Sequence, residues 1–263
     1  MKRTVLFLMS LAPVLLIAQS LDKMSANDRM GVLYTKDASC GLRIITNGWA
    51  LFGNLGKSIN LNRSRFYQVE FAELKNPREK KQTSDNFGGA DYPPRPYVFG
   101  KENVFFALHV GIGRKYLLGE KAEKSGVEVT LNYVLGPSLG ILKPYYLDLI
   151  YTSDPGSPRR STHSEKYSEE NAPKFLDHTQ IYGSSGFSKG LSEIRPIPGL
   201  HAKVGINFDW ASFGDFIKAL EVGVTADVYY KRVPIMISDH HQNNPNRAYF
   251  IGLYLSGQVG KKW

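Results

Sequence analysis

The feature that most constrains this chain is a two-residue alternation of apolar and polar side chains, repeated in runs long enough to cross a bilayer. Across residues 200–210, Leu200, Ala202, Val204, Ile206, Phe208 and Trp210 share one face. The other face carries His201, Lys203, Gly205, Asn207 and Asp209. Residues 219–231 repeat the pattern, with Leu220, Val222, Val224, Ala226, Val228 and Tyr230 set against Glu221, Gly223, Thr225, Asp227 and Lys231. Successive side chains of a strand point to opposite faces, so each run reads as a strand with one greasy side. Residues 103–116, 126–133 and 145–152 read the same way, placing His109, Glu128 and Asp148 on polar faces.

These runs last about 8–13 residues, where a tilted membrane strand needs about 9–11 and a globular strand averages about 5–6. Their apolar faces end in Trp210, Tyr151 and Tyr230, aromatics that suit a membrane–water boundary. A soluble sandwich would share the alternation but has no reason for the length or the aromatic ends. Weaker strands are expected over residues 30–36, 65–74 and 248–257, with Glu70 on the polar face of the second. Two more, 41–46 and 49–57, flank Asn47-Gly48, the dipeptide preferred by a type I′ hairpin turn. The expectation is an all-β chain forming a closed antiparallel transmembrane β-barrel of about eight to ten strands, with long polar loops at 75–101 and 153–195. With roughly ten strands and both termini in the periplasm, loop 153–195 faces outward and loop 75–101 faces the periplasm. The latter is long for that side, so either it folds into or under the barrel or the strand count is off by one.

Export is read from the first twenty residues. Lys2 and Arg3 precede an apolar stretch from Val5 to Ile17, followed by the small residues Ala18 and Ser20. That is the layout of a cleaved signal peptide, with cleavage after Ala18 or Ser20, leaving 21–263 as the barrel domain. Beyond it no apolar run approaches the roughly 18–20 residues of a membrane helix. The mean hydropathy of −0.27 does not exclude a barrel, which hides its apolar half in alternation. Loss of Lys2 and Arg3 takes the formal charge from +9 to +7. After export the anionic partners to expect are lipopolysaccharide, phospholipid head groups or an acidic protein surface, not nucleic acid. Cys40 is the single cysteine, so stability rests on packing and ladder hydrogen bonds.

No pattern reads as an active site. There is no Gly-x-Ser-x-Gly, and Gly111-Ile112-Gly113 lies inside a strand without a following helix. Ser256 with His201 and Asp209 would be a triad only if the fold joined them. His240 and His241 beside Asp239 offer metal-type ligands with no second cluster to complete a site, so no metal or cofactor is expected. The polar faces together place Glu70, His109, Glu128, Asp148, His201, Lys203, Asp209, Glu221, Asp227 and Lys231 in the lumen. Charges of both signs there can satisfy one another, giving a filled interior rather than an open pore. The turn Asn76-Pro77-Arg78-Glu79-Lys80-Lys81 offers Arg78, Lys80 and Lys81 to lipid phosphates or an acidic partner.

Residues 65–79 (RFYQVEFAELKNPRE) and 138–146 (SLGILKPYY), together with 198–203 (PGLHAK), resemble an uncharacterised family of small outer-membrane barrels from Bacteroidota-type bacteria. The resemblance spans most of the mature chain and implies the fold and an outer-membrane location; it transfers no catalytic residues. It also makes an accessory role in an outer-membrane assembly or secretion machine a reasonable expectation. A narrow passive channel and a lipid-modifying enzyme are the alternatives. The chain recovered from outer membranes is expected to begin at Gln19 or Leu21, and N-terminal sequencing checks this.

Overall fold

The computed structural model describes residues 35–60, 62–84, 94–119, 127–152, 160–210, 215–238 and 244–263. The expected signal peptide, nearly all of the strand expected at 30–36, and the 239–241 tract lie outside them. In chain order the strands are β1 (Lys36–Ile45), β2 (Gly48–Asn60), β3 (Arg63–Leu74), β4 (Lys81–Gln82), β5 (Tyr97–Val98), β6 (Asn103–Gly119) and β7 (Glu128–Pro144). They continue with β8 (Tyr146–Thr152), β9 (Arg160–Lys166), β10 (Ile181–Ser184), β11 (Arg195–Asp209), β12 (Phe216–Tyr229) and β13 (Tyr249–Lys262). Eight of these, β1, β2, β3, β6, β7, β11, β12 and β13, form one closed barrel with every pairing antiparallel.

Closure is made by β1 against β13, in register from Asp37 opposite Lys262 to Ile45 opposite Tyr254. Backbone bonds from Thr35 and Lys36 to the Trp263 carbonyl tie off that seam. Outward positions carry exposed Leu42, Ile44, Leu51, Leu55, Val69, Ile112, Leu135, Val204, Val222 and Leu253. Inward positions carry buried Arg43, Glu70, His109, Lys203, Glu221 and Asp227. A soluble protein reverses this arrangement; apolar groups outside and charges inside suit a hydrocarbon surround. No helix among the described residues is long and apolar enough to cross a membrane; the strands do the crossing. Exposed aromatics flank the belt at both ends, Trp210, Phe216 and Trp263 at one and Trp49, Tyr230 and Tyr249 at the other. This is a transmembrane barrel of the outer-membrane type.

The barrel has eight wall strands rather than about ten: residues 145–152 do not join the wall, and of the strand expected at 30–36 only Lys36 enters it among the described residues, as the first residue of β1. Residues 146–152 form β8, the centre of a separate three-stranded sheet with β9 and β10. Tyr151 accordingly leaves the aromatic girdle: its hydroxyl donates to Glu165 at 2.7 Å and its ring stands edge-on to His163. With three wall strands before it instead of four, segment 75–102 emerges at the same end as 145–194 and 230–248, opposite Thr35 and Trp263. Of the two alternatives for loop 75–101, the structure takes the second: the strand count before it was off by one, and it shares the end of loop 153–195.

The Asn47-Gly48 hairpin also differs from expectation. Ile45 pairs with Gly48, so the turn is Thr46-Asn47, and no non-glycine residue among those described has positive φ. Glycine is needed at 48 for another reason, since a Cβ there would lie 1.8 Å from the Glu73 carbonyl oxygen of β3.

The three long segments build a cap. Tyr97, Leu147, Leu149, Phe175 and Ile181 make its own small core, to which the short helix Ala172–Phe175 contributes. Phe99 of the first segment stacks on His178 of the second, ring centres 3.8 Å apart. Ser184 donates to the Pro96 carbonyl, and Asn76 donates to the Pro245 carbonyl. Loop 153–195, as far as it is described, is thus a folded unit. A charge placed at the middle of the lipid belt is expected to weaken the barrel: Val222→Lys should cost about 2–4 kcal/mol, checked by urea unfolding in vesicles.

Candidate functional site

The lumen is the site that the alternation builds, and it is filled in layers. At the end carrying Thr35 and Trp263, polar side chains surround a cavity of about 170 Å³ lined by Asp37, Lys115, Glu128, Thr130, Asn207, Asp209, Gln258 and Lys262. Lys115 holds Asp37 at 2.9 Å and Lys262 holds Asp209 at 3.3 Å. At the cavity wall Gln258 donates to Asn207, and nearby Gln68 donates to Asn54, both at 2.7 Å.

The middle layer is ionic. Arg43 of β1 donates to Glu70 of β3, and its guanidinium lies between the rings of Phe52 and Tyr254 at 4.7 and 4.6 Å. Lys203 donates to Glu221 at 2.9 Å, and the same carboxylate accepts from Tyr254 at 2.6 Å and Asn132 at 2.7 Å. His201 Nδ1 lies 2.7 Å from Asp227 Oδ1, while His109 Nδ1 stands 3.6 Å from the same oxygen. The two imidazoles stack with centres 4.1 Å apart. Charges this deeply buried are tolerable only when paired and hydrogen-bonded, and here each carboxylate has such a partner.

Towards the cap the lumen turns apolar. Phe105, Tyr229 and Phe250 pack ring against ring, and Leu74, Leu142 and Ile197 join them. Val233, Ile235 and Met236 from the segment after β12 enter this cluster as a plug. Asn246 fastens the plug by accepting from the Ile235 and Met236 amides and donating to the Met236 carbonyl. Asn103 donates to the Pro234 carbonyl from the rim of β6.

The structure brings Glu70, His109, His201, Lys203, Glu221 and Asp227 into one buried cluster and sets Glu128 and Asp209 at the polar mouth. Two expected lumen residues are elsewhere. Asp148 sits on β8 in the cap, accepting from Ser164 and Ser185 at 2.6 Å each. Lys231 is exposed, because β12 ends at Tyr229 and the chain turns away before the alternation reaches it. Arg78, Lys80 and Lys81 are exposed on the cap side, while Glu79 between them turns inward to Lys101. The conceivable Ser256–His201–Asp209 set is not assembled. His201 engages Asp227, and Asp209 lies eight residues further along β11, roughly 26 Å at about 3.3 Å per residue.

Sequence reasoning missed Arg43 and Tyr254, and it put Asn132 and Gln68 on polar strand faces without counting them in the lumen set. Arg43 was findable by parity, since it stands between the apolar, lipid-facing Leu42 and Ile44, but the apolar Ile45 two positions on, on the same inward face, blurs the pattern. His109, His201 and Asp227 are the one group of three metal-type donors among the described residues, with donor atoms within 4.8 Å. The His201–Asp227 hydrogen bond engages one pair of these donors, His109 Nδ1 and His201 Nε2 have no hydrogen-bond partner, and the Arg43 guanidinium and Lys203 ammonium stand close by. His201 and Asp227 stand directly opposite each other on β11 and β12, so their hydrogen bond ties the two strands.

No protein-family model matches the sequence, and no curated protein matches it. Among solved structures, Ail of Yersinia pestis, solved with the heparin analogue sucrose octasulfate, aligns over 88% of this chain and 100% of its own at 10% identity and a TM-score of 0.40. Neisserial surface protein A aligns over 87% of this chain and 95% of its own, at 12% identity and a TM-score of 0.36. The N-terminal barrel domain of Pseudomonas aeruginosa OprF aligns over 88% and 98%, at 6% identity and a TM-score of 0.35. The likeness stops at the fold.

Removing one partner of the central pair strands a buried charge. Glu70→Ala is expected to destabilise the barrel by about 3–5 kcal/mol, whereas Arg43→Met combined with Glu70→Leu should stay close to wild type. Urea midpoints of folded and unfolded bands on gels check both.

Proposed function

We propose that this chain is an exported, non-enzymatic outer-membrane barrel that serves as a structural or accessory subunit of an envelope assembly or secretion complex. Its domain would be residues 21–263 after loss of the signal at 1–20, and its surroundings outer-membrane lipid and lipopolysaccharide. The observation that carries the reading is the pairing of a sealed lumen with a folded cap. The ionic layer and the Val233–Ile235–Met236 plug leave the interior to stability, so contacts with other molecules fall to the outside of the barrel and the cap. The cap offers them ordered, not merely floppy, surface: its sheet, its own apolar core and exposed Leu176 and Phe187. Arg78, Lys80 and Lys81 add exposed positive charge there.

A passive channel would need a continuous polar path, and the Phe105–Tyr229–Phe250 layer interrupts it. A lipid-modifying enzyme would need a nucleophile, base and acid in contact, and Ser256, His201 and Asp209 are not so arranged. Extraction of outer membranes in mild detergent is expected to recover the barrel in a complex larger than its own mass. A bare monomer would overturn the accessory role. In planar bilayers the purified protein is expected to be silent. Steady conductance that disappears in Lys203→Gln or Glu128→Gln would favour the channel instead.

A further inference from the structure

We propose that a lateral groove under the cap binds one anionic lipid, its phosphate held by Lys143 and its acyl chains laid against the barrel wall. The groove encloses about 900 Å³ between the outward faces of the barrel rim and the cap segments. Its floor is apolar and aromatic. Phe71 stacks on Phe106 with ring centres 5.5 Å apart, and Phe187 of the cap meets Phe106 edge-on at 6.2 Å. These floor residues continue the lipid-facing belt, so the groove opens to the side rather than into the lumen.

Its polar end carries an excess of positive charge. Lys75, Lys81, Lys101 and Lys143 line it, against Glu73 and Glu79. Both acids are already engaged within the protein: Glu73 accepts from the Trp49 indole at 2.6 Å, and Glu79 binds Lys101 and the Asn76 amide. Lys143 is different. Little of the residue is exposed, and no carboxylate or hydrogen-bond acceptor among the described residues pairs with its ammonium, which lies 4.8 Å from the Phe187 ring and near the Lys101 ammonium. Among the described residues its ammonium has no anionic partner, and a phosphate entering the groove would supply one through a charge-assisted hydrogen bond. A free phosphate would not use the apolar floor; a phosphate attached to acyl chains uses both halves. The inference extends beyond the accessory role and does not rest on it, because a monomer would hold the lipid equally well.

The test is native mass spectrometry of the detergent-solubilised full barrel with added phosphatidic acid, phosphatidylcholine or inorganic phosphate. The expected result is one retained phosphatidic acid per barrel and at least tenfold weaker retention of phosphatidylcholine. Lys143→Gln should lose that preference, Lys143→Arg should keep it, and Phe187→Ser should weaken retention of both lipids, with heat-shifted gel mobility verifying folding. Equal binding of the two lipids by wild type, or unchanged preference in Lys143→Gln, would overturn the proposal. Inorganic phosphate retained as tightly as phosphatidic acid would overturn it as well, since the acyl chains would then contribute nothing.

Discussion

The closing ladder between β1 and β13 is the constraint on which the rest depends. In hydrocarbon an unpaired backbone N–H or C=O costs several kcal/mol, so a sheet with free edges has no stable form there. Pairing of residues 37–45 with 254–262 removes both edges at once. Once the sheet is closed, each side chain has only two places to go, out into lipid or inward to the lumen. Every charge on an inward position must then find a partner inside a narrow tube.

The ionic layer meets that demand with partners on neighbouring or next-but-one strands: Arg43 on β1 with Glu70 on β3, Lys203 on β11 with Glu221 on β12, His201 on β11 with Asp227 opposite it on β12. Such pairs contribute little net stability over apolar packing but are very costly to break, so they fix which strands face one another. The apolar layer above them does the complementary work. It lets the segment after β12 fold back as a plug, which in turn gives the cap a floor: the Ile237 amide reaches the Gly100 carbonyl and the Glu102 amide reaches the Ile235 carbonyl. Seal and cap are one continuous structure.

The cap also reshapes the outer wall at its own end. By overhanging the rim it converts part of the exposed belt into a groove, and it buries Lys143 on what would otherwise be an open lipid-facing strand end. The same polypeptide that closes the lumen therefore also builds a groove outside it.

Much of this was legible in the sequence, for a simple reason. Alternation with a period of two is local, so Leu200, Val204 and Ile206 declare their lipid face, and His201 and Lys203 their lumen face, without reference to any other strand. The local signal fails where local rules are broken. Pro137 and Gly136 hide the second half of β7, and Pro196 and Pro198 hide the start of β11, because proline withholds a ladder donor and reads as a turn. Conversely, residues 145–152 alternate well yet leave the wall, since alternation says that a strand has two unlike faces but not which sheet it joins. Sequence alone determined that this chain has long two-faced strands with charged inner sides. Only the tertiary structure decided the count of eight, the gathering of three loops at one end, and the pairing of Arg43 with Glu70, because each depends on contacts between residues far apart in the chain.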